Sequence, residues 1–311
     1  MLFELKHQTT FEYSSPVTES LMEFRLTPVT DSCQRVLQHR SHVTPLRQIQ
    51  QHLDYLGNTV STFNIQAPHD RVQVCFESLV ETFAGSRRTG ELRGLARFDS
   101  LQPSSRTKWT PAFLDYAQRF ASLRGAENRQ AAEEIRSAIF EGFRYDTAAT
   151  HSGSTINDLL EGGAGVCQDF SHLMIALCRW LAIPARYVSG YVLTESASEG
   201  AVASHAWVEV YDPVSGWVGI DPTHNKWVEE HHIRIGVGRD YDDVAPNKGV
   251  YRGSAEELVS VAVHLRPITP DELEQSSQRL FTASQLQNHS TRQTRRPPQA
   301  SLLQQVSAAQ Q

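Results

Sequence analysis

Apolar and polar residues alternate with a period of two over most of the first 95 residues, and this pattern predicts half-buried β-strands. The alternating apolar positions are Phe3, Leu5, Phe11 and Tyr13, then Met22, Phe24 and Leu26, then Val72, Val74 and Phe76. Gly57-Asn58 separates two such runs and predicts a hairpin turn. We therefore expect residues 1–95 to form a small β-sandwich or barrel.

The period changes to that of a helix after a polar segment at 96–108, which we expect to be a linker. Thr110 followed by Pro111 is typical of a helix start, because threonine caps the first turn and proline is tolerated at the first helical position. Helical spacing of apolar residues then predicts helices from 111, at about 127–140, at about 154–160 and from Cys167 for about four turns.

Period-two patterns return in the second half of the chain, where we expect strands at 185–193, 206–211, 217–220 and 258–265. From about residue 281 the chain is rich in Gln, Ser, Thr and Arg, a composition typical of disorder. The expected organisation is thus a β-rich domain at 1–95, a linker at 96–108, a second domain at 109–280 and a disordered tail at 281–311.

The composition is that of an ordinary globular protein, with 40% hydrophobic and 21% charged residues in a chain of 311. The net charge of −6 provides no basic surplus, so we expect no nucleic-acid and no membrane partner. No signal peptide and no apolar stretch of ~20 residues is apparent, which favours a cytoplasmic protein. The four cysteines form no CxxC pair, so we expect free thiols and no cofactor.

Candidate chemistry is concentrated in three residues. Cys167 follows a glycine-rich stretch and begins an apolar helical run, and His205 and Asp221 lie on two predicted neighbouring strands. A thiol at a helix start, an imidazole and a carboxylate are the components of a nucleophilic cysteine enzyme.

The histidine has to provide most of the activation of the thiol. A helix N-terminus stabilises a thiolate by about 0.3–1 kcal/mol, which is less than one pKa unit. If the turn at 212–216 places Tyr211 opposite Trp217, His205 falls opposite about Thr223 and one diagonal step from Asp221, within reach of its side chain.

Each of these residues also has a purely structural interpretation. Cys167 alone is more typical of a small core residue, His205 of a strand histidine and Asp221 of a turn, and Cys178 is expected to be structural. His172 is a second choice of base, although it and Asp169 are expected to face solvent or support the helix. His224, His231 and His232 indicate a metal site only weakly because they lack partner ligands at a recognised spacing, so we predict no metal.

With these residues in place, the chain resembles the transglutaminase-like superfamily of papain-related cysteine enzymes. The resemblance rests on the segments Gly163-Ala164-Gly165-Val166-Cys167-Gln168-Asp169-Phe170, Ser204-His205-Ala206-Trp207-Val208-Glu209-Val210-Tyr211 and Gly219-Ile220-Asp221-Pro222-Thr223. The β-rich first half and the segments 237–246 and 249–253 resemble bacterial members. The resemblance implies an α+β fold, with a β-sandwich-like N-terminal domain before a core whose nucleophile begins a helix packed on an antiparallel sheet.

The resemblance also implies roles for particular residues. Cys167 would be the nucleophile, His205 the general base and acid, and Asp221 the residue that orients the ring. The backbone N–H of Cys167 would be half of an oxyanion hole whose second donor is not assigned. Gly165, Gln168 and Trp207 are expected to contact the substrate. Apart from the resemblance, Tyr191, Trp207, Trp217 and Tyr241 are candidates to line a groove, although aromatic residues near a strand core are more often packing residues.

The expected reaction is hydrolysis of a peptide, isopeptide or side-chain amide through a thioester, so the expected partner is a peptide or protein amide. An acyl transferase that uses an amine acceptor and a non-catalytic binding module on the same fold are the alternatives. The β-rich half would position the substrate or dock a partner. The sequence contains no EF-hand-like calcium loop, which favours hydrolysis over protein crosslinking.

Overall fold

A computed structural model describes residues 1–85, 90–151, 153–194 and 204–294, with side chains up to residue 282. The strands are β1 (Leu2–Val17), β2 (Glu19–Phe24), β3 (Gln34–Thr44), β4 (Gln50–Leu53), β5 (Thr59–Ile65), β6 (His69–Thr82), β7 (Arg144–Tyr145), β8 (Ala164–Gly165), β9 (Ala185–Val192), β10 (Ser204–Asp212), β11 (Gly216–Asp221), β12 (Lys226–Trp227), β13 (His232–Gly238), β14 (Asn247–Arg252) and β15 (Glu257–Pro267). The helices are α1 (Gly94–Leu101), α2 (Pro111–Ala117), a 3-10 helix (Gln118–Leu123), α3 (Asn128–Gly142), α4 (Ile156–Gly162), α5 (Cys167–Trp180), α6 (Tyr241–Val244) and α7 (Pro270–Thr294). None of the helices in these ranges combines the length and the apolar character needed to span a membrane.

Two four-stranded antiparallel sheets form the β domain, with strand orders β15-β1-β6-β3 and β14-β2-β5-β4. Their facing sides enclose an apolar core that contains most of the positions predicted from the alternation. The Gly57 turn joins β4 to β5 with a φ of +85°, a conformation that favours glycine. The predicted hairpin is therefore confirmed.

The C-terminal strands complete this β domain. β14 pairs with β2 and β15 pairs with β1 over eleven residues, from Phe3 opposite Pro267 to Tyr13 opposite Glu257. The strand predicted at 258–265 is present, but its partner is the first strand of the chain. The predicted second domain at 109–280 is therefore wrong in extent, since its last part belongs to the β domain.

Two further boundaries differ from the sequence prediction. The segment expected to be a linker at 96–108 begins with most of α1, in which Ser100 is buried. The tail expected from residue 281 instead continues α7 to Thr294, and Leu280 packs with Leu79 and Ile268. The rest of the predicted tail, 295–311, lies outside the described residues.

The second domain is built on a five-stranded antiparallel sheet of order β12-β11-β10-β9-β13. One face packs against α5, because alternate residues of β10 (Ala206, Val208 and Val210) share a core with the apolar side of that helix. This arrangement confirms the predicted α+β class and the helix packed on an antiparallel sheet.

The two domains share a buried contact. Apolar residues of β1 and β15 pack against Tyr191 of β9 and against Ile233 and Ile235 of β13. His7 Nδ1 lies 2.6 Å from the Tyr191 hydroxyl in the same region. Tyr191 is thus a buried packing residue, which contradicts its predicted place in a substrate groove.

Candidate active site

Cys167 is the first residue of α5, and the start of this helix is fixed by Asp169. Val166, in extended backbone conformation, precedes the helix and has no polar side chain to cap it. The carboxylate of Asp169 accepts hydrogen bonds from the Val166 backbone N–H at 2.9 Å and the Thr150 hydroxyl at 2.6 Å. Asp169 is buried and supports the helix, the second of the two roles expected for it.

The glycine-rich stretch before Cys167 turns the chain from α4 into α5. Gly163 ends α4 with a φ of +65°, a left-handed conformation that favours glycine. A Cβ atom on Gly165 would lie 2.8 Å from Asp169 Oδ2 and 3.0 Å from Leu159 Cδ1. The absence of side chains thus lets the turn pack tightly beside the half-buried Cys167. Gly165 itself is buried, and its contact with substrate stays a prediction.

The β10–β11 hairpin brings His205 and Asp221 together. Tyr211 lies opposite Trp217, as predicted, and His205 Nε2 lies 2.7 Å from Asp221 Oδ2. The Cys167 side chain lies close enough to His205 to raise the pKa of its ring. Because Asp221 engages Nε2, Nδ1 is the ring nitrogen available to the sulfur. The structure therefore brings together the three residues that the sequence singled out.

Asp221 is completely buried and is surrounded by hydrogen-bond donors. Oδ1 accepts the backbone N–H groups of Thr223 at 2.9 Å and His224 at 3.3 Å. Oδ2 lies 2.7 Å from His205 Nε2, 2.7 Å from His224 Nδ1 and 3.3 Å from His232 Nε2. A buried carboxylate stays ionised only when such donors replace water, and here five converge on it.

The hydrogen bonds of His232 fix its tautomer. Its Nδ1 lies 3.3 Å from the Glu229 backbone N–H, which can only donate, so Nδ1 carries no proton. Burial lowers the pKa of His232 and thereby favours the neutral ring. The single ring proton is then on Nε2, where it is donated to Asp221. Sequence reasoning considered His224 and His232 only as weak metal ligands and missed this role.

The charge of Asp221 reverses the effect of burial on His205. Burial alone would lower the pKa of His205, but the hydrogen bond to Asp221 and the interaction with Cys167 raise it to about 10. Burial alone would raise the pKa of Asp221, but the bonds from His205, His224 and His232 hold it well below its usual value. At neutral pH the pair is therefore an imidazolium and a carboxylate.

Other predicted site residues are placed away from the substrate side. Trp207 is completely buried and stacks behind His205, with ring centroids 6.1 Å apart, and Trp217 is buried as well. A Cβ atom on Gly190 would lie 2.4 Å from the Trp207 ring, so glycine at 190 makes room for the indole. The predicted substrate contacts of Trp207 and Trp217 do not agree with this burial. Gln168 is half-buried, and its contact stays a prediction.

His172 is not available as an alternative base. It is fully buried, and its Nε2 accepts the Tyr241 backbone N–H at 3.1 Å. Burial lowers its pKa to about 4. The other cysteine of α5, Cys178, is fully buried too, and burial raises the pKa of its thiol to about 12, which makes it unreactive. Tyr241, the last groove candidate, is half-buried.

Two clusters among the described residues have the composition of metal ligands. Potential ligand atoms of His205, Asp221 and His232 lie within 4.8 Å of one another, but these groups already hydrogen-bond each other. The second cluster joins His42, Cys75 and Glu77 on the β domain, where Glu77 is paired with Arg40 at 3.2 Å and Lys6 at 3.8 Å. Neither geometry requires a metal, and the prediction of none remains a prediction.

Known proteins share this architecture. The family described as the transglutaminase-like superfamily matches residues 115–222, and the bacterial transglutaminase-like N-terminal region matches residues 3–81. An uncharacterised protein of Mycobacterium leprae is 36% identical over 274 residues, which cover 83% of this chain and 96% of that protein. The crystal structure of a "putative cysteine protease" from Cytophaga hutchinsonii superposes with a TM-score of 0.68 at 24% identity, covering 87% of this chain and 93% of that one.

A more distant relative has a named activity. Protein-glutamine gamma-glutamyltransferase of Pseudomonas aeruginosa is 28% identical over 145 residues, which cover 41% of this chain and 21% of that protein. Together with the matched core and N-terminal regions, these likenesses support a cysteine-dependent enzyme. The chain belongs to the transglutaminase-like superfamily and carries the N-terminal region of its bacterial members.

Proposed function

We propose that the protein is a cysteine hydrolase that cleaves a peptide, isopeptide or side-chain amide through a thioester. The observation that carries this proposal is the buried hydrogen bond between Asp221 and His205, whose ring also interacts electrostatically with the half-buried thiol of Cys167. An imidazolium beside a thiol at a helix N-terminus stabilises the thiolate, which is the nucleophilic form of cysteine.

In the proposed reaction, the sulfur of Cys167 attacks the carbonyl carbon of the amide. The C–N bond then breaks, and His205 gives its proton to the leaving nitrogen. In the second half, water loses a proton to His205 and attacks the thioester, which releases the acid and regenerates the thiolate. Asp221 stays ionised throughout and holds the ring in the correct tautomer and orientation.

The proposal extends to the partner and the location. A peptide or protein amide is the expected substrate, bound on the open side of Cys167. All four cysteines are free thiols in the structure, which agrees with a reducing cytoplasm. We propose that the β domain positions this substrate, since its sheet β15-β1-β6-β3 packs against β9 and β13 of the five-stranded sheet.

Transfer of the acyl group to an amine is the second candidate function. It is favoured by the named activity of the Pseudomonas relative, protein-glutamine gamma-glutamyltransferase. Both reactions pass through the same thioester and differ only in the acceptor. Product analysis by mass spectrometry, with and without added primary amine, separates them: hydrolysis gives only the acid, whereas transfer gives the substituted amide.

Labelling with a peptide vinyl sulfone tests the nucleophile. We expect the probe to label Cys167, and Cys167→Ala to abolish labelling. Cys178→Ala is the matched control on the same helix, and it should be labelled like the wild type. Labelling that persists in Cys167→Ala and disappears in Cys178→Ala would refute the assignment, as would a non-reactive Cys167, which would indicate a binding module.

A further inference from the structure

Attack on a carbonyl creates an oxyanion, and the chain has one evident donor for it. The backbone N–H of Cys167 lies in the first turn of α5, where N–H groups have no acceptor within the helix. Among the described residues it has no other acceptor either. Oxyanion holes are normally built from at least two donors, so a second group is required on the same side of the sulfur.

Tyr145 is held beside this first donor. The two-residue strands β7 and β8 are parallel, and they pair Tyr145 with Gly165, two residues before Cys167. The next backbone N–H, that of Asp146, donates to the Gly165 carbonyl at 2.9 Å. The Tyr145 ring meets Phe170, one turn into α5, in an edge-on contact of 6.2 Å between centroids. Tyr145 therefore contacts residues on both sides of Cys167 in the sequence, Gly165 before it and Phe170 after it.

The phenol of Tyr145 is accessible and keeps its proton. About half of the residue is exposed, at 51%. Burial of the remainder, followed by the charges of Cys167 and Asp221, raises the pKa of Tyr145, so the hydroxyl remains a donor at neutral pH.

Other candidate donors near the site are less suitable. Tyr187 also interacts with the charge of Cys167, but it is buried beneath the site between His172 and Tyr241. The indole N–H of Trp207 has no hydrogen-bond partner among the described residues, but it is enclosed in the interior. Neither group can reach a carbonyl that approaches Cys167 from solvent.

We infer that the hydroxyl of Tyr145 is the second oxyanion donor, acting with the backbone N–H of Cys167. As the sulfur bonds to the carbonyl carbon, the π electron pair moves to oxygen, and the resulting anion accepts both hydrogen bonds. When the pair returns, the C–N bond breaks and the amine leaves with the proton from His205. The hydroxyl of Tyr145 donates a hydrogen bond to the oxyanion and keeps its proton throughout. This inference rests on the proposed function, because it requires an acyl-transfer reaction at Cys167.

The test compares two reactions of the same thiol in Tyr145→Phe. Acylation by p-nitrophenyl acetate, measured as a single-turnover burst that is absent in Cys167→Ala, passes through an oxyanion. Alkylation by iodoacetamide, measured as the rate of Cys167 modification, does not. We expect acylation to slow by about tenfold or more, whereas alkylation stays within about twofold of the wild type.

Tyr116→Phe is the matched control. Tyr116 is also a partly buried phenol, and it packs on Phe143, which in turn packs on Phe170, so both tyrosines belong to one aromatic cluster. The Tyr116→Phe variant should leave both rates unchanged.

Equal rates in Tyr145→Phe and wild type would overturn the inference. A parallel loss of acylation and alkylation would overturn it too, since that would show that Tyr145 acts on the reactivity of the thiol and not on the oxyanion. A wild-type protein without a Cys167-dependent burst would instead refute the proposed function itself, and with it the oxyanion role.

Discussion

Histidines shielded from solvent in the β domain and at the candidate active site differ in the direction of their pKa shifts, and of these His7 and His205 are buried whereas His39 is half-buried. Within the described part of the chain, the rings of His7 and His39 bond only to hydroxyl groups. His7 bonds to Tyr191 and Thr9, and His39 bonds to Thr27 and Ser78. Burial lowers the pKa of each to about 4. His205 is buried like His7, yet its pKa is raised to about 10, and the difference is the carboxylate of Asp221.

The comparison indicates that a buried histidine stays charged only when the carboxylate beside it is itself kept ionised by further hydrogen-bond donors. A buried Asp221 alone would take up a proton, because burial raises the pKa of a carboxyl group. His224, His232 and two backbone N–H groups keep it ionised, and its charge then keeps the proton on His205. The β domain uses the same residue type as an uncharged structural group.

Asp221→Asn is expected to have the largest effect on the difference between His205 and the histidines of the β domain. It removes the negative charge but keeps the shape, so His205 should behave like His7 and lose its proton at neutral pH. We expect Cys167-dependent turnover to fall by about 10³–10⁴-fold. Iodoacetamide alkylation at pH 7 should also slow, because the thiolate loses its counterion. Turnover within tenfold of the wild type would show that the carboxylate does not control the ring.

A smaller effect is expected when one supporting donor is removed. His232→Leu deletes the hydrogen bond to Asp221 Oδ2, and we expect turnover to fall by about tenfold, the equivalent of one hydrogen bond to a charged group. His232→Gln places an amide N–H near the position of Nε2 and should restore most of this loss. If both variants are equally impaired, His232 acts through packing against Trp207, its ring neighbour at 5.3 Å.

The pH dependence of stability should show the two classes of histidine separately. The pKa of His205 is raised above its unfolded value of 6.5, so its stabilisation is complete below pH 6.5 and is lost as pH rises through about 10. The pKa values of His7 and His39 are lowered, so their contribution is present above pH 6.5 and is lost as pH falls through about 4. Chemical denaturation from pH 4 to 10 should show both slopes, and Asp221→Asn should abolish only the alkaline one. An alkaline slope that survives in Asp221→Asn would have another origin.

The smallest effect is expected for His39→Gln in the β domain. Glutamine can retain hydrogen bonding to Ser78 or Thr27, so the free energy of unfolding should fall by only about 1 kcal/mol. Turnover per folded molecule should not change. A change in turnover would show that the β domain influences the chemistry, and the distinction between His39 as a structural residue and His205 as the proposed base would then need revision.

The local elements and the principal residues could be predicted from the sequence, because they depend on short-range patterns. The helix from Cys167, the β10–β11 hairpin and its register all follow from spacing and turn residues. The return of β14 and β15 to the β domain could not be predicted, because alternation identifies a strand without identifying its partner. Trp207 was assigned to a substrate contact for a similar reason, since the sequence does not show which aromatic residues the core encloses.

The supporting shell of Asp221 was also missed. His224 lies three residues after Asp221, and a turn brings its ring back to the carboxylate. His232 reaches the same carboxylate from a different strand, β13. The only sequence signal was a local excess of histidines between 224 and 232, which indicated metal as readily as hydrogen bonding. Distinguishing the two requires the geometry around the carboxylate.

The protonation state of His205 tests the account most directly. NMR titration of the imidazole in the wild type and in Asp221→Asn, with Cys167 unmodified, would follow this ring against the other histidines. The account predicts that His205 stays protonated through neutral pH, titrates near pH 10 and loses this behaviour in the variant. If His205 in the wild type titrates near pH 6.5 or below, like an isolated ring or a buried ring without a carboxylate partner, this prediction is contradicted.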